Sequence, residues 1–230
     1  MRKAIFACLA LVCLTGCATP PPGDADDPLE AVNRRTQIGF LWIDDHLLHP
    51  ASDAYVDAVP RGVRRSLRNA LANLGLPQVM LNDLLQGNLA LSATALGRFL
   101  VNSTAGIGGL FDVATDLDLK PHEADFGQTL GVWGVGEGPY LFLPFFGPSN
   151  PRDAAGLALG IVTNPAMLLG GREAAVAITG EVGFGALDRR PGRGEVLDRM
   201  RRESFDFYVS LRSVYRQNRL YRIQQGRDGR

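Results

Sequence analysis

The chain has 230 residues, and its 24 basic and 24 acidic side chains give a formal net charge of zero at pH 7. This balance argues against nucleic acid as a partner, because proteins that bind nucleic acid carry a surplus of Lys and Arg. The length suits one domain with a sizeable core.

The N-terminus has the pattern of a secretory signal peptide, predicted over residues 1–16. A basic start is followed by an apolar run that is too short to cross a bilayer. The next residues, Leu-Thr-Gly-Cys, resemble a bacterial lipobox, which predicts cleavage before Cys17 and acylation of that residue. Two or three acyl chains anchor a protein stably. Residues 17–27 then form the lipidated N-terminus and an extended tether; a signal peptide with an unmodified Cys17 is the alternative.

Residues 28–220 are predicted to form one helical domain. Asp27 as N-cap and Pro28 at the first helical position open an amphipathic helix, which is continuous or breaks near Gly39. The same periodicity returns in three later segments, residues 59–75, 76–87 and 88–103. Alternation of period two is scarce, so no strands are expected.

The composition changes in residues 126–171, where only Glu137, Arg152 and Asp153 are charged. Such a segment belongs in a core, against a membrane, or both. A transmembrane helix over residues 154–171 is disfavoured, because Asn164-Pro165 interrupts its middle. An interfacial or buried helix pair is the preferred interpretation.

Residues that carry chemistry are sparse. Among three histidines, His46 and His49 share a helix face with Asp45, but no third ligand accompanies them, so a solvated or partner-facing pair is preferred to zinc. The sequence contains no nucleophile elbow, no His-Glu-x-x-His motif and no phosphate-binding loop. The prediction is therefore a protein that is not an enzyme and binds no metal or cofactor.

The C-terminal end is basic. Residues 189–230 contain twelve Arg and five acidic residues. This segment is either a solvated face or a surface for anionic headgroups or an acidic partner. Residues 221–230 are predicted to be a disordered tail.

Several segments, in order from Cys17 to about Asp153, resemble the MlaA (VacJ) family of outer-membrane lipoproteins. They are the lipobox, "DPLEAVNR", "LNDLLQG", "RFLVNSTAGIGGLFDVA" and "PHEADFGQTLGVWGVGEGPYLFLPFFGPSNPRD". The last of these is the most specific. The sequence departs from the family pattern at Val32, where the family commonly has an aromatic residue, and at Trp133 and Glu137, where it often has Tyr.

The resemblance implies an all-α fold, a ring-like arrangement of amphipathic helices lying in the inner leaflet of the outer membrane, with Cys17 as the anchor on the periplasmic side. Family members remove mislocalised phospholipids from the outer leaflet through an amphipathic channel and so maintain lipid asymmetry. They are similar in associating with a trimeric porin, and in handing phospholipid to a soluble periplasmic lipid carrier protein that delivers it to an inner-membrane transporter.

The resemblance also implies that the glycine-rich and aromatic run is a hairpin-like loop that influences channel opening. Its candidate residues are Gly134, Gly136, Gly138, Tyr140, Phe142, Pro144, Phe145 and Phe146. The glycines permit turns, and the aromatic and proline side chains suit an apolar lip beside the channel. The alternative is a core packed around a tight turn.

Four polar residues are weaker candidates for channel contacts: Asn33, Gln37, Asn82 and Arg98. Each is equally compatible with capping or bridging helices. Two other classes of function stay open. A structural lipoprotein that scaffolds a porin or envelope complex needs no channel, and a lipid hydrolase needs a nucleophile and a base, for which the sequence offers no persuasive set.

Overall fold

The computed structural model describes residues 27–229. The helices are α1 (Glu30–Ile43), α2 (His49–Ala58), α3 (Arg61–Leu85), α4 (Leu89–Thr104), α5 (Val113–Asp116), α6 (Phe126–Val132), α7 (Pro151–Val162), α8 (Gly171–Glu203) and α9 (Phe207–Asp228). A π-helical segment, Asp44–Leu48, joins α1 to α2, and a 3-10 helix, Pro165–Leu169, precedes α8. Strands β1 (Leu141–Leu143) and β2 (Gly147–Ser149) pair antiparallel. The predicted signal peptide, Cys17 and most of the tether lie outside the described residues.

The all-α prediction is confirmed, and the loop predicted to be hairpin-like is a β-hairpin. The expectation of no strands is wrong for this short segment. Leu141 and Leu143 are partly exposed while Phe142 between them is buried, so the period of two is present but spans too few residues to be noticed in the sequence. Strand pairing joins Leu141 to Ser149 and Leu143 to Gly147.

The first helix begins later than predicted. It starts at Glu30, and the residue in the cap position is Leu29, which has no side-chain capping hydrogen bond. Instead the buried Asp27 carboxylate accepts hydrogen bonds from the Tyr208 hydroxyl and, at 2.7 Å, from Arg212 Nη1. A buried carboxylate requires a charged or hydrogen-bonding partner, and α9 supplies both. The helix runs through Gly39 without a break.

One further predicted helix boundary is absent from the structure, and another is present. The predicted segments 59–75 and 76–87 form one helix, α3, that continues through Pro77. Packing of α3 along α4 offsets the backbone hydrogen bond that proline cannot donate. The predicted interruption at Asn164-Pro165 is present, since α7 ends at Val162 and the Asn164 side chain caps the following 3-10 helix.

Residues 221–228 are helical, although a disordered tail was predicted over residues 221–230. Helix α9 continues to Asp228, and Ile223 and Gly226 on it are buried. Polar groups of other elements hold its last turns: Asn88 Nδ2 donates to the Gly226 carbonyl at 2.6 Å, and Gln128 Nε2 donates to the Arg222 carbonyl at 2.9 Å. These tertiary contacts are invisible in a sequence that reads as basic and polar.

A small aromatic core joins the hairpin to α1 and α9. Tyr140, Phe142 and Tyr208 are buried together. The rings of Tyr140 and Tyr208 meet edge to face at 5.7 Å, and those of Phe40 and Phe142 do so at 5.5 Å. Edge-to-face pairs add stability beyond the burial of apolar area, so this cluster fixes the base of the hairpin.

Elsewhere the usual distribution of polarity is inverted. Many buried side chains on the helices are polar: Asn33, Gln37, Asn73, Asn82, Asp83, Ser92, Arg98, Asn102, Gln128 and Thr129. Many large apolar side chains on the same helices are exposed: Val32, Ile38, Trp42, Val63, Leu67, Leu74, Leu89, Leu96 and Leu100. Extensive exposed apolar surface marks a membrane or protein interface. Within residues 27–229, no helix combines the length and hydropathy of a membrane span.

Candidate functional site

A cleft of about 410 Å³ lies beside the hairpin, and we call it the hairpin cleft. The apolar residues that line it, which we call its apolar side, are Phe126, Leu143, Phe146, Pro148, Leu157, Ile161, Ile178 and Val182. The polar residues that line it, which we call its polar side, are Gln78, Asp125, Ser149, Asp153, Asn164, Glu181, Tyr215 and Arg219. The cleft is thus amphipathic, which is the property that a molecule with a charged head and apolar tails requires of its binding surface.

Arg219 on α9 is the centre of the polar side. Its guanidinium forms a two-pronged ion pair with Asp125, with nitrogen-to-oxygen distances of 2.7 and 2.9 Å. It also contacts Asp153, with 2.8 Å from Nε to Oδ2 and 2.9 Å from Nη2 to Oδ1. One cation therefore holds two carboxylates from different helices.

Helix starts place the two carboxylates. Asp125 caps α6, accepting a hydrogen bond from the Gln128 N–H at 2.8 Å. Asp153 lies in the first turn of α7, whose cap is Asn150, and the Tyr215 hydroxyl donates to its Oδ2. Carboxylates are favoured at helix N-termini by the free N–H groups and the helix dipole. Local interactions at the two helix starts thus position both acids independently of α9.

The helices that carry these acids cross at two glycines. A Cβ atom added to Gly156 on α7 would lie 2.2 Å from the backbone nitrogen of Gly127 on α6. No side chain fits at that separation, so the glycine at this crossing brings the start of α6 close to α7. This close approach lets one guanidinium reach both Asp125 and Asp153.

The ion network shifts the pKa values of its members. Burial alone raises the pKa of Asp153, but the hydrogen bond from Tyr215 and the charge of Arg219 outweigh it and hold the pKa below the ordinary value. For Asp125 burial is again opposed by Arg219, and its pKa is also lowered. Burial lowers the pKa of Arg219, yet the two carboxylates raise it overall, so all three groups are charged at neutral pH.

We expect the stability of the fold to fall in acid because of these two lowered pKa values. Below the ordinary carboxyl pKa of 3.8, the unfolded chain binds protons that the folded chain does not. The free energy of unfolding therefore decreases as the pH falls through the folded values. Denaturant unfolding in detergent, from about pH 6 to about pH 2, measures this slope.

A matched control for this acid dependence is Asp118→Asn. Its carboxylate is 90% exposed and lies 3.9 Å from Lys120, so its removal leaves the profile unchanged, whereas Asp153→Asn reduces the slope. A wild-type stability that stays flat down to about pH 2 would contradict the role given to the network.

The predicted loop residues fall into two groups. Tyr140 and Phe142 belong to the aromatic core, as the alternative of core packing supposed. Phe145 and Phe146 at the hairpin tip are 73% and 49% exposed, and Phe146 also lines the hairpin cleft. Pro144 precedes them in the same turn. An apolar lip beside a channel stays a prediction for Phe145 and Phe146, whereas Tyr140 and Phe142 are buried in the core.

The predicted glycines lie in the connection before the hairpin. Gly134 and Gly138 have φ angles of 90° and 70°, which residues with a Cβ atom rarely adopt. Gly136 has a negative φ and open space around it. The connection thus needs glycine at two of the three predicted positions for its backbone geometry.

The four polar candidates have partners within the protein or are buried, and none lines the hairpin cleft as described. Asn33 Nδ2 donates to the Tyr140 carbonyl at 2.8 Å, and its Oδ1 accepts from the Phe142 N–H at 2.9 Å. Asn82 Oδ1 accepts from the Thr129 hydroxyl at 2.7 Å. These two side chains join helices to the hairpin and to α6.

The other two candidates differ from each other. The Arg98 guanidinium binds both oxygens of Asp112, at 2.9 and 3.0 Å, so it bridges α4 to the residue before α5. Gln37 is buried, and its Nε2 has no hydrogen-bond partner among residues 27–229. Contact of these residues with lipid stays a prediction.

Sequence reasoning missed Arg219 and Tyr215, because a basic helix near a chain end resembles a solvated face. A usable signal was present for the two acids. Asp125 is itself a capping residue before a helix, and Asp153 follows the capping residue Asn150 by three positions.

Comparison with known proteins gives one family. A family model described as MlaA lipoprotein matches residues 25–222. The chain is 34% identical over 218 residues to the "Intermembrane phospholipid transport system lipoprotein MlaA" of Escherichia coli (strain K12), covering 90% of this chain and 83% of that protein. It is 30% identical over 242 residues to the protein of the same name from Haemophilus influenzae, covering 98% and 92%.

A solved structure described as "Structural basis for maintenance of bacterial outer membrane lipid asymmetry" has a similar fold. The TM-score is 0.72 at 31% sequence identity, over 86% of this chain and 98% of that chain. The similarity thus extends well beyond the segments that the sequence motifs cover.

Proposed function

Because this chain belongs to the MlaA lipoprotein family, we infer that it acts in intermembrane phospholipid transport and maintains the lipid asymmetry of the outer membrane. We propose that its helices form a monotopic ring whose outer apolar surface lies in the inner leaflet of the outer membrane. The observation that carries this function is the inverted polarity, with apolar side chains outside and polar side chains inside, combined with an amphipathic cleft beside an exposed aromatic tip.

We propose that the phospholipid headgroup follows the polar side of the hairpin cleft while the acyl chains stay with its apolar side. A headgroup that leaves water without polar partners loses several kcal/mol. The ion network of Arg219 with Asp125 and Asp153 supports this route, because the Asp125 side chain, which is 45% exposed, presents a fixed charge to solvent. The apolar tip at Phe145 and Phe146 supports a place for the tails at the rim.

The proposal also includes a lipid anchor and two protein partners. Acylation of Cys17 would anchor the chain on the periplasmic side of the outer membrane. A trimeric porin and a soluble periplasmic lipid carrier protein would be its partners. The lipobox pattern and the family membership support these assignments.

The proposal gives the protein a transport role and no catalytic one. The titratable residues of the cleft have partners within the protein: Arg219 holds Asp125 and Asp153, the Tyr215 hydroxyl donates to Asp153, and Asn164 Nδ2 donates to Glu181 at 3.0 Å. A hydrolase would instead need a nucleophile beside a free base.

The test is the phospholipid content of the outer leaflet in cells with and without the gene. We expect deletion to raise surface phospholipid and the wild-type gene to restore it, because mislocalised lipid has lost its route inward. If deletion leaves the surface unchanged, transport is rejected, and the scaffolding lipoprotein becomes the better description. Phospholipid that co-purifies with the detergent-extracted protein separates the same two functions, since a scaffold has no reason to retain it.

A further inference from the structure

Helix α3 carries a continuous apolar stripe on its exposed side. Val63, Leu67 and Leu74 are 49%, 40% and 55% exposed. Leu81 and Leu85 continue the row, with spacings of four or seven residues that keep all five side chains on one face of the helix. This stripe is part of the outer apolar surface that the proposed function places in a lipid leaflet.

The first two turns of the same helix are strongly basic. Arg61, Arg65 and Arg68 share a second face at spacings of four and three residues, and Arg64 lies beside them. No acidic residue occurs from residue 58 to residue 82. The basic end and the apolar stripe are therefore two faces of one helix.

Two of these arginines are already engaged. Arg68 Nε lies 2.7 Å from Asp188 Oδ2 on α8, and Arg64 Nε donates to the Val59 carbonyl at 3.1 Å. Arg61 and Arg65 are exposed, and among residues 27–229 their side chains have no hydrogen bond or ion pair. Both guanidinium groups are thus free for an external anion.

Helix stability does not account for this arrangement. The dipole of a helix favours acidic residues in the first turn and disfavours cations there, yet the first turn of α3 has no acidic side chain. A conflict with a local rule of this kind is expected where residues serve binding.

We propose that Arg61 and Arg65 bind the phosphate groups of anionic phospholipids at the surface of the leaflet in which the stripe of α3 lies. Basic residues on the polar face, with apolar residues on the opposite face, are the arrangement by which interfacial helices bind anionic membranes. Arginine suits the site because its planar guanidinium binds a phosphate through two hydrogen bonds, while its aliphatic stem packs on apolar groups. This inference rests on the membrane placement of the proposed function.

The test compares two populations of vesicles, one of phosphatidylcholine alone and one that also contains phosphatidylglycerol. The full chain, with Cys17→Ser to prevent acylation and make binding reversible, is synthesised in a cell-free system, and its co-flotation with each population is measured. We expect wild-type residues at Arg61 and Arg65 to favour the anionic vesicles. Arg61→Gln with Arg65→Gln should lower that binding about 30-fold, or about five-fold for each arginine near an anionic surface.

Matched variants separate the site from net charge and from misfolding. Arg172→Gln with Arg199→Gln removes two exposed charges from α8 and should change binding far less. Arg61→Lys with Arg65→Lys should keep most of the preference, since the positive charges remain. Circular dichroism checks that each variant has the helical content of the parent chain.

The outcomes are distinct. If the parent chain binds both populations equally, or if the α8 control pair loses as much as the α3 pair, the arginine site is overturned while the membrane placement stands. Protection of Arg61 and Arg65 by inorganic phosphate, without any preference of the parent chain for anionic vesicles, would also overturn it in favour of a free-phosphate site. If the parent chain floats with neither population, the membrane placement itself fails. If the parent chain floats equally with both populations, and its α3 arginines bind an acidic protein, the two arginines form a protein-binding surface and not a lipid-binding one.

Discussion

Cells that carry Phe145→Asp with Phe146→Asp are expected to retain as much surface phospholipid as cells that lack the protein. The two rings form the exposed tip of the hairpin, and Phe146 also lines the cleft. An Asp side chain within a bilayer costs about 3 kcal/mol. Two such charges would exclude the tip from the apolar region where the proposed function needs it.

Backbone strain does not explain the expected loss. Phe145 has a φ of 67°, a left-handed conformation that is uncommon for bulky residues and several-fold enriched in Asp and Asn. The substitution at this position therefore relieves strain. The strands on either side keep their pairing, because the aromatic core at Tyr140 and Phe142 is unchanged.

The matched control is Phe145→Leu with Phe146→Leu, which preserves apolar surface and removes the rings. We expect this variant to restore surface phospholipid to near the wild-type level. Immunoblotting of outer-membrane fractions establishes equal abundance of all variants. Full rescue by the Asp variant at wild-type abundance would show that the tip needs no apolar character, and the proposed lip would have to be abandoned.

The sequence predicted this tip better than it predicted the strand beside it. Proline and glycine on either side of the two aromatic residues indicate a turn from local chemistry alone. The burial of Tyr140 and Phe142 depends on contacts with Phe40 and Tyr208, which are distant in the chain. Local patterns carry no information about such distant partners. The sequence therefore could not distinguish the buried aromatic residues Tyr140 and Phe142 from the exposed Phe145 and Phe146.

The polar interior was expected from the family resemblance, but local patterns alone could not predict it. Asn33 reads as a polar position on an amphipathic helix, which in a soluble protein would face water. In the structure it is buried against β1, because the apolar face of α1 is the exposed one. Periodicity identifies the two faces of a helix, but the solvent decides which face points inward. That decision required the tertiary arrangement.

Asp27 and Arg219 show the same limit for charged residues. Each has an ordinary local reading, as a helix cap and as part of a basic surface. The structure gives each an ion pair with an element more than ninety residues away, Arg212 for Asp27 and Asp125 for Arg219. A single sequence shows the charges of such pairs and not their pairing.

Replacement of Arg219 by Met is expected to cause the largest loss of stability among the cleft residues. Arg219 is 8% exposed, and its removal leaves Asp125 and Asp153 close together without their shared cation. Removing one partner of a buried ion pair costs about 3–5 kcal/mol. We expect the lower end of this range, because the Asp125 side chain is 45% exposed and water screens part of its charge.

The control is Arg222→Met, three residues later on α9. Its ion pair with Glu123 is at the surface, with the two side chains 31% and 70% exposed, so its loss costs less than about 1 kcal/mol. Both variants remove one arginine from the same helix. Denaturant unfolding of the two proteins in detergent therefore isolates the contribution of burial.

The stability of Arg219→Met is also expected to depend on pH in a different way from that of the wild type. Without Arg219, the pKa of Asp153 is expected to rise, since the cation that lowered it is gone. Acid then neutralises a carboxylate that the fold no longer compensates, and the stability deficit of Arg219→Met relative to the wild type shrinks as the pH falls. Adding Asp153→Asn to Arg219→Met should recover part of the deficit at neutral pH for the same reason. A deficit that is equal at all pH values, or that Asp153→Asn deepens, would mean that Arg219 supports the cleft by packing and not by holding two acids.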